Sequence, residues 1–196
     1  MTDNRDTRER SLLEAAALFS EHGFNGTSMS ELAGAVGITK SSLYHHFPSK
    51  QALLSEIIET TVSRVTPLVQ EVAEMDLPAG DRLRRAIVLH TVEAIRDQHA
   101  IACFVEEGRY LEREFMETHV VKRDAYEQVF RKLFEDGIES GEFVKRDIGI
   151  AVKAVLGMCN SVVRWYKPDG GYSAQEIADE FADFAVRGAS VTGGGR

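Results

Sequence analysis

The chain has 196 residues, of which 43 % are hydrophobic and only four are proline. That is enough for a sizeable core and excludes collagenous and disordered classes. The net charge of −8 is unevenly spread. Residues 1–50 hold five bases (Arg5, Arg8, Arg10, Lys40 and Lys50) against six acids, a balance of −1, and the other 18 bases and 25 acids leave −7 on the rest. No apolar run of about 18 residues stands out, so no membrane span is expected. The opening MTDNRDTRER is polar and lacks the apolar core of a secretion signal, so a cytoplasmic location is expected. Cys103 and Cys159 lie in apolar helical stretches and read as buried small hydrophobes, with a redox role as the alternative.

The periodicity is helical throughout, and no hairpin signal occurs. Asp6-x-x-Glu9 reads as a capping box for a first helix, whose stripe is Leu12, Ala16 and Phe19 with Leu13 beside it. Gly23 offers a left-handed stop, after which Phe24 can pack back on the last turn. Ser28-x-x-Glu31 caps a second helix to about Val36, ended by Gly37. Thr39 caps a short third helix, Lys40 to His46, and Pro48 blocks its continuation. Ser49 caps a fourth, carrying Leu53, Leu54, Ile57 and Ile58, which Pro67 should kink or end near Thr66.

Beyond the Leu77-Pro78-Ala79-Gly80 break, five more helices are expected, for about nine in all. They are Asp81–His99, Ile101–Glu107, Leu111–Asp136, a very apolar segment from Asp147 to about Tyr166, and a last helix capped by Ser173-x-x-Glu176. The Gly193–Gly195 tail is expected to be mobile.

Segment 28–47, SMSELAGAVGITKSSLYHHF, carries the most information. Two short helices joined by a three- to four-residue turn cross steeply and present the second one outward. Ala33 is small at the close approach, and Gly37 sits where positive φ is needed. Leu32, Val36, Ile38 and Leu43 fill the shared core. The exposed face of the third helix is then Lys40, Ser41, Tyr44 and His45, hydrogen-bonding groups with the reach for a DNA major groove. An ordinary helical hairpin with solvated polar groups is the competing reading.

The stretch from about Arg8 to Leu54 resembles the TetR/AcrR family of bacterial regulators. The resemblance is strongest in the run Leu43-Tyr44-His45-His46-Phe47-Pro48-Ser49-Lys50-Gln51-Ala52-Leu53, preceded by Thr27-Ser28-Met29-Ser30-Glu31-Leu32-Ala33. It implies an all-α fold, with a three-helix helix-turn-helix head at 1–50 and a helical ligand-binding and dimerisation domain at 51–196. It also implies that Tyr44 and Lys50 bind phosphates and that Lys40 reads a base. Ser41 and His45 are further base-edge candidates. Ser28 and Ser30 would touch backbone or flanking bases, and Thr39 would chiefly cap the third helix. Met29 and His46 are expected to pack inward.

Segment 147–167 is apolar almost all round, and Gly149, Ala151, Ala154 and Gly157 permit close approach; such a helix is central or lies in an oligomer interface. The resemblance implies a homodimer through the last two long helices and a small-molecule pocket among the middle ones. Pocket candidates are Phe104, Tyr110, Phe115, Met116, Tyr126, Phe130 and Met158, although for each taken singly plain core packing is the favoured reading. The run from Gly157 to Pro168, followed by Ser173-Ala174-Gln175-Glu176-Ile177-Ala178, is similar to an actinobacterial TetR branch whose regulators respond to acyl-CoA thioesters of fatty-acid and sterol catabolism. It implies that Arg164 and Lys167 hold CoA phosphates and that Trp165 stacks on the adenine. The alternative is that Arg164 pairs with a helix-end acid and Trp165 caps the core.

The histidines show no metal-ligand spacing, and no nucleophile elbow, phosphate loop or close carboxylate pair appears, so neither metal, cofactor nor catalysis is expected. The expected function is a ligand-responsive repressor acting on double-stranded DNA. A ligand-independent DNA-binding protein and a thioester-processing enzyme are the alternatives.

Overall fold

A computed structural model describes residues 4–191, so the expected Gly193–Gly195 tail lies outside the described residues. Two compact units emerge: one from the described part of Met1–Val62 with Asp97–Lys122, the other from Ser63–Arg96 with the described part of Arg123–Arg196. The described residues hold no strand, only an isolated antiparallel bridge between Phe143 and Ser190.

The first unit contains α1 (Asn4–His22), α2 (Met29–Val36), α3 (Lys40–His46), the start of α4 (Lys50–Ala73), α6 (Gln98–Ala102) and the start of α7 (Arg113–Glu139). Its core joins Phe19, Phe24, Leu32, Leu43, Phe47, Leu53, Leu54 and Ile58. Gly23 and Gly37 both take positive φ, +77° and +76°, and end α1 and α2 as their positions demand. After α6 the chain widens into a π turn, Cys103–Glu107, and then tightens into a 3₁₀ turn, Gly108–Tyr110.

The second unit contains the end of α4, α5 (Ala79–Arg96), the end of α7, α8 (Ile148–Asn160), the short α9 (Val162–Trp165) and α10 (Ala174–Ala189). Leu83, Ile87, Phe130, Leu133, Phe134 and Val152 fill its core. With α8 and α9 taken as two arms of one bent segment, nine helices are described.

Several expectations change. Asp6 lies inside the first turn of α1 and so is not a cap, although its charge still suits a helix start. Leu13 points to solvent, 62 % exposed, and Ala15 takes the core position. Pro67 does not end α4. It and Ser63, whose carbonyl loses its i+4 donor, are both exposed, so water can serve that carbonyl while Val65 and Val69 stay buried.

α5 starts at Ala79 because the Glu142 carboxylate, 62 residues away in sequence from Gly80, accepts the Ala79 and Gly80 N–H groups at 2.9 Å each. α7 overruns Asp136 to Glu139 and stops before Gly141, which has φ +79°. The long apolar segment breaks at Ser161, whose hydroxyl donates to the Met158 carbonyl at 2.7 Å and competes with helix continuation. By length and hydropathy, Ile148–Trp165 reaches the level of a spanning helix, contrary to expectation; Ser161 interrupts it and part of it is buried.

Gly137 lets the Phe143 ring lie against the α7 backbone, where a Cβ would overlap the ring. Gly137→Ala is expected to destabilise the chain by about 1–3 kcal/mol through overpacking, read as a lower urea midpoint at unchanged m-value.

Candidate nucleic-acid interface and effector residues

α2 begins at a complete capping box: the Ser28 Oγ accepts from the Glu31 N–H at 3.2 Å, and the Glu31 carboxylate accepts from the Ser28 N–H at 2.7 Å. The Ser28 bonds hold the Glu31 carboxyl below the usual range. Thr39 Oγ1 accepts from the Ser42 N–H at 3.1 Å and caps α3, as its position suggests. Met29, Leu32, Ala33 and Val36 are buried along α2, as is Leu43 on α3.

That burial turns the opposite face of α3 outward. Lys40, Ser41, Tyr44 and His45 are all exposed, and the Lys40 ammonium stands 5.9 Å from the centre of the Tyr44 ring. Ser28 and Ser30 are also exposed, at the start of α2. His46 is half-buried, with the Phe47 ring 6.3 Å away.

Lys50 sits differently from a side chain extended into solvent. Its ammonium donates to the Phe24 and Thr27 carbonyls at 2.6 and 2.7 Å and lies 4.3 Å over the Phe24 ring. Partial burial pulls it below the usual lysine range. Two of its three donors are used on the α1–α2 turn, which leaves one for a phosphate. Arg8 pairs with Glu56 and covers the Phe47 ring, and Arg10 donates to the Val36 carbonyl. Several cations of the head therefore act internally.

The effector candidates divide by unit. In the first unit, Phe104, Phe115 and Met116 pack half-buried on the core, and Tyr110, 36 % exposed, stacks on Phe24 at 6.1 Å. In the second, Phe130 is fully buried, while Tyr126 and Met158 are half-buried on the core. Arg164 and Lys167 are exposed. Trp165 is 47 % exposed, meets the Phe181 ring edge-on at 6.3 Å and donates to Ser161 Oγ at 3.3 Å.

Residues 12–57 match the bacterial regulatory proteins of the tetR family, and residues 76–189 match the tetracyclin repressor-like C-terminal domain. The chain belongs to the TetR family. It is 28 % identical over 191 residues to the HTH-type transcriptional repressor KstR2 of Rhodococcus jostii (strain RHA1), covering 95 % of this chain and 93 % of that one. The crystal structure of the TetR family transcriptional regulator PfmR from Thermus thermophilus superposes with a TM-score of 0.84 at 34 % identity, over 91 % of this chain and 98 % of that one. AibR, solved in complex with isovaleryl coenzyme A and operator DNA, gives a TM-score of 0.83 at 25 % identity, over 91 % and 97 %. KstR2 and PfmR are transcriptional regulators, not enzymes.

The sequence reading of this TetR-family chain missed a buried polar cluster in the second unit. His90 Nδ1 lies 2.6 Å from the Tyr126 hydroxyl and Nε2 lies 3.0 Å from Asn160 Oδ1. Both contacts are satisfied if neutral His90 carries its proton on Nε2: that N–H donates to Asn160, and Tyr126 donates to Nδ1. Tyr126 therefore already spends its hydroxyl inside the protein. Asn160, the one asparagine of the largely apolar 147–167 segment, was the available signal. Burial pushes the nearby Cys159 thiol up to about 11 and, in the first unit, that of Cys103 to about 12, so both are inert at neutral pH.

Burial pulls His90 down from 6.5 to about 4. Its unfolded form binds a proton between those values while the folded form does not. Stability is therefore intact above pH 6.5 and falls toward pH 4, by up to about 3 kcal/mol. His90→Gln, uncharged at every pH, is expected to flatten that slope in urea titrations; an unchanged slope would place the acid sensitivity elsewhere.

Proposed function

We propose that this chain is a ligand-responsive transcriptional repressor of the cytoplasm. In this reading it binds a palindromic operator as a homodimer and is released by a small-molecule effector, an acyl-CoA of lipid or sterol catabolism. The observation that carries the DNA reading is the outward face of α3, where Lys40, Ser41, Tyr44 and His45 stand together on a helix fixed by buried Leu43. Tyr44 and Lys50 contact phosphates, Lys50 through its remaining donor. Lys40 reads a base edge, with Ser41 and His45 beside it, and Ser28, Ser30 and Thr39 flank the site near two helix starts whose N–H groups favour phosphate.

Dimerisation through α8 and α10 is supported by their apolar exposure. Ile150 is 69 % exposed and Phe184 74 %, with Ala154, Gly157 and Gly188 also facing out. A twofold reader requires such a self-complementary face. The effector reading draws on the likeness to KstR2 and to AibR, the latter named with isovaleryl coenzyme A. Arg164 and Lys167 supply cations beside the exposed Trp165 ring, a set suited to phosphates and adenine. Tyr126, Phe130 and Met158 are the candidates for the acyl portion in the second unit, the first two weakened by their internal partners, and Phe104, Tyr110 and Phe115 are the candidates if it lies within the first unit.

Fluorescence anisotropy with the cognate duplex tests the head. Tyr44→Phe is expected to weaken binding to all duplexes by about 1–2 kcal/mol. Lys40→Ala is expected to relax preference at one half-site position by about 1–3 kcal/mol. A uniform loss for Lys40→Ala would make Lys40 a phosphate contact.

Thermal melting against a panel of acyl-CoA thioesters and the matching free acids tests the effector. One thioester at about 100 times its Kd should stabilise the chain by about 2.7 kcal/mol, and Trp165→Ala should reduce the shift. No shift with any thioester would contradict the acyl-CoA reading and favour a ligand-independent regulator.

A further inference from the structure

The turn that launches α2 is held at one residue, Phe24, through both of its backbone polar groups. The Phe24 N–H donates to the Glu107 carboxylate at 2.7 Å, in a buried contact, while the Phe24 carbonyl accepts from Lys50. Glu107 is 7 % exposed and reaches Phe24 across 83 residues of sequence. A buried carboxylate is expensive unless it is hydrogen-bonded, so this contact is strongly specified.

Glu107 closes the π turn, in which the Gly108 N–H reaches back to the Cys103 carbonyl. Such a turn holds one residue more than an α turn and is frequent at functional sites. Relaxation to α geometry would rotate the residues beyond it by about 100° and carry Glu107 away from Phe24. The surrounding contacts follow the same register. Cys103 Sγ donates to the Ala16 carbonyl at 3.5 Å. Gln51 donates to the Tyr110 carbonyl at 2.8 Å and accepts from the Glu112 N–H at 3.1 Å. The Tyr110 ring stacks on Phe24.

We propose that Glu107 is a positioning residue for operator binding: its carboxylate anchors the Phe24 amide only while Cys103–Glu107 is in the π register, and so sets the geometry from which α2 and α3 are presented. This rests on reading the α3 face as the operator contact. It adds a residue outside the head, and a local change of helix register, as determinants of DNA affinity.

The test pairs hydrogen exchange at the Phe24 amide with operator affinity in the full-length protein. Glu107→Ala should speed exchange at Phe24 by at least about tenfold and weaken operator binding by about tenfold, while core amides of α1 and α10 keep their protection. Glu107→Gln keeps an acceptor oxygen and should restore both readouts to within about threefold of wild type. Should Glu107→Ala not fold, Glu107→Leu replaces it as the variant without an acceptor.

Wild-type exchange at Phe24 in a folded acceptor-less variant would overturn the anchor, and so would fast exchange with unchanged operator affinity. A wild-type chain that binds no duplex, yet whose Phe24 amide responds to Glu107 as stated, would sink the operator reading and support the anchor itself.

Discussion

The outward face of α3, proposed to read DNA, depends on the burial of Leu43 and Phe47. α3 has only seven residues, far below the length at which an isolated helix is stable in water. Its order comes from the core beneath it, where Leu43 and Phe47 pack with Leu32, Phe19 and Leu53. Gly37, at φ +76°, makes the steep crossing of α2 and α3 possible without strain. Once those residues are inward, helical geometry leaves Lys40, Ser41, Tyr44 and His45 no choice but outward.

The electrostatics follow from the same arrangement. The head is near neutral, and the structure shows that part of its positive charge is spent internally. Arg8 pairs with Glu56, Arg10 caps the end of α2, and Lys50 ties down the α1–α2 turn. Few cations remain for a diffuse attraction to the phosphate backbone. In the proposed reading, operator binding relies on fit more than on counterion release, so its salt dependence should be shallow for a DNA reader.

The head was legible because its signals are local. Capping boxes, glycine stops and the spacing of Ala33, Gly37 and Leu43 all act within a few residues, and the caps of α2 and α3 and the stops at Gly23 and Gly37 stand where those signals lie. Misplaced boundaries had non-local causes. α5 starts early because Glu142 caps it from another part of the chain, and Pro67 is tolerated because solvent and neighbouring valines hold α4 together. The contact between Glu107 and Phe24 was invisible for the same reason, and of the cluster of His90, Tyr126 and Asn160 only the asparagine gave a local hint. Each joins side chains that only the fold brings together, through residue types that carry no motif. The exposed face of α3, Lys40, Ser41, Tyr44 and His45, was read in advance from type and spacing, whereas the effector candidates are aromatic and apolar groups whose types suit a core as readily as a ligand.

The central claim is that the α3 face reads DNA sequence in a twofold arrangement. Selection of bound duplexes from a random library by the purified protein tests it most directly. The account predicts enrichment of an inverted repeat whose preference at one position per half-site depends on Lys40. Recovery of duplexes with no common sequence, or of a single unrepeated site, would contradict it.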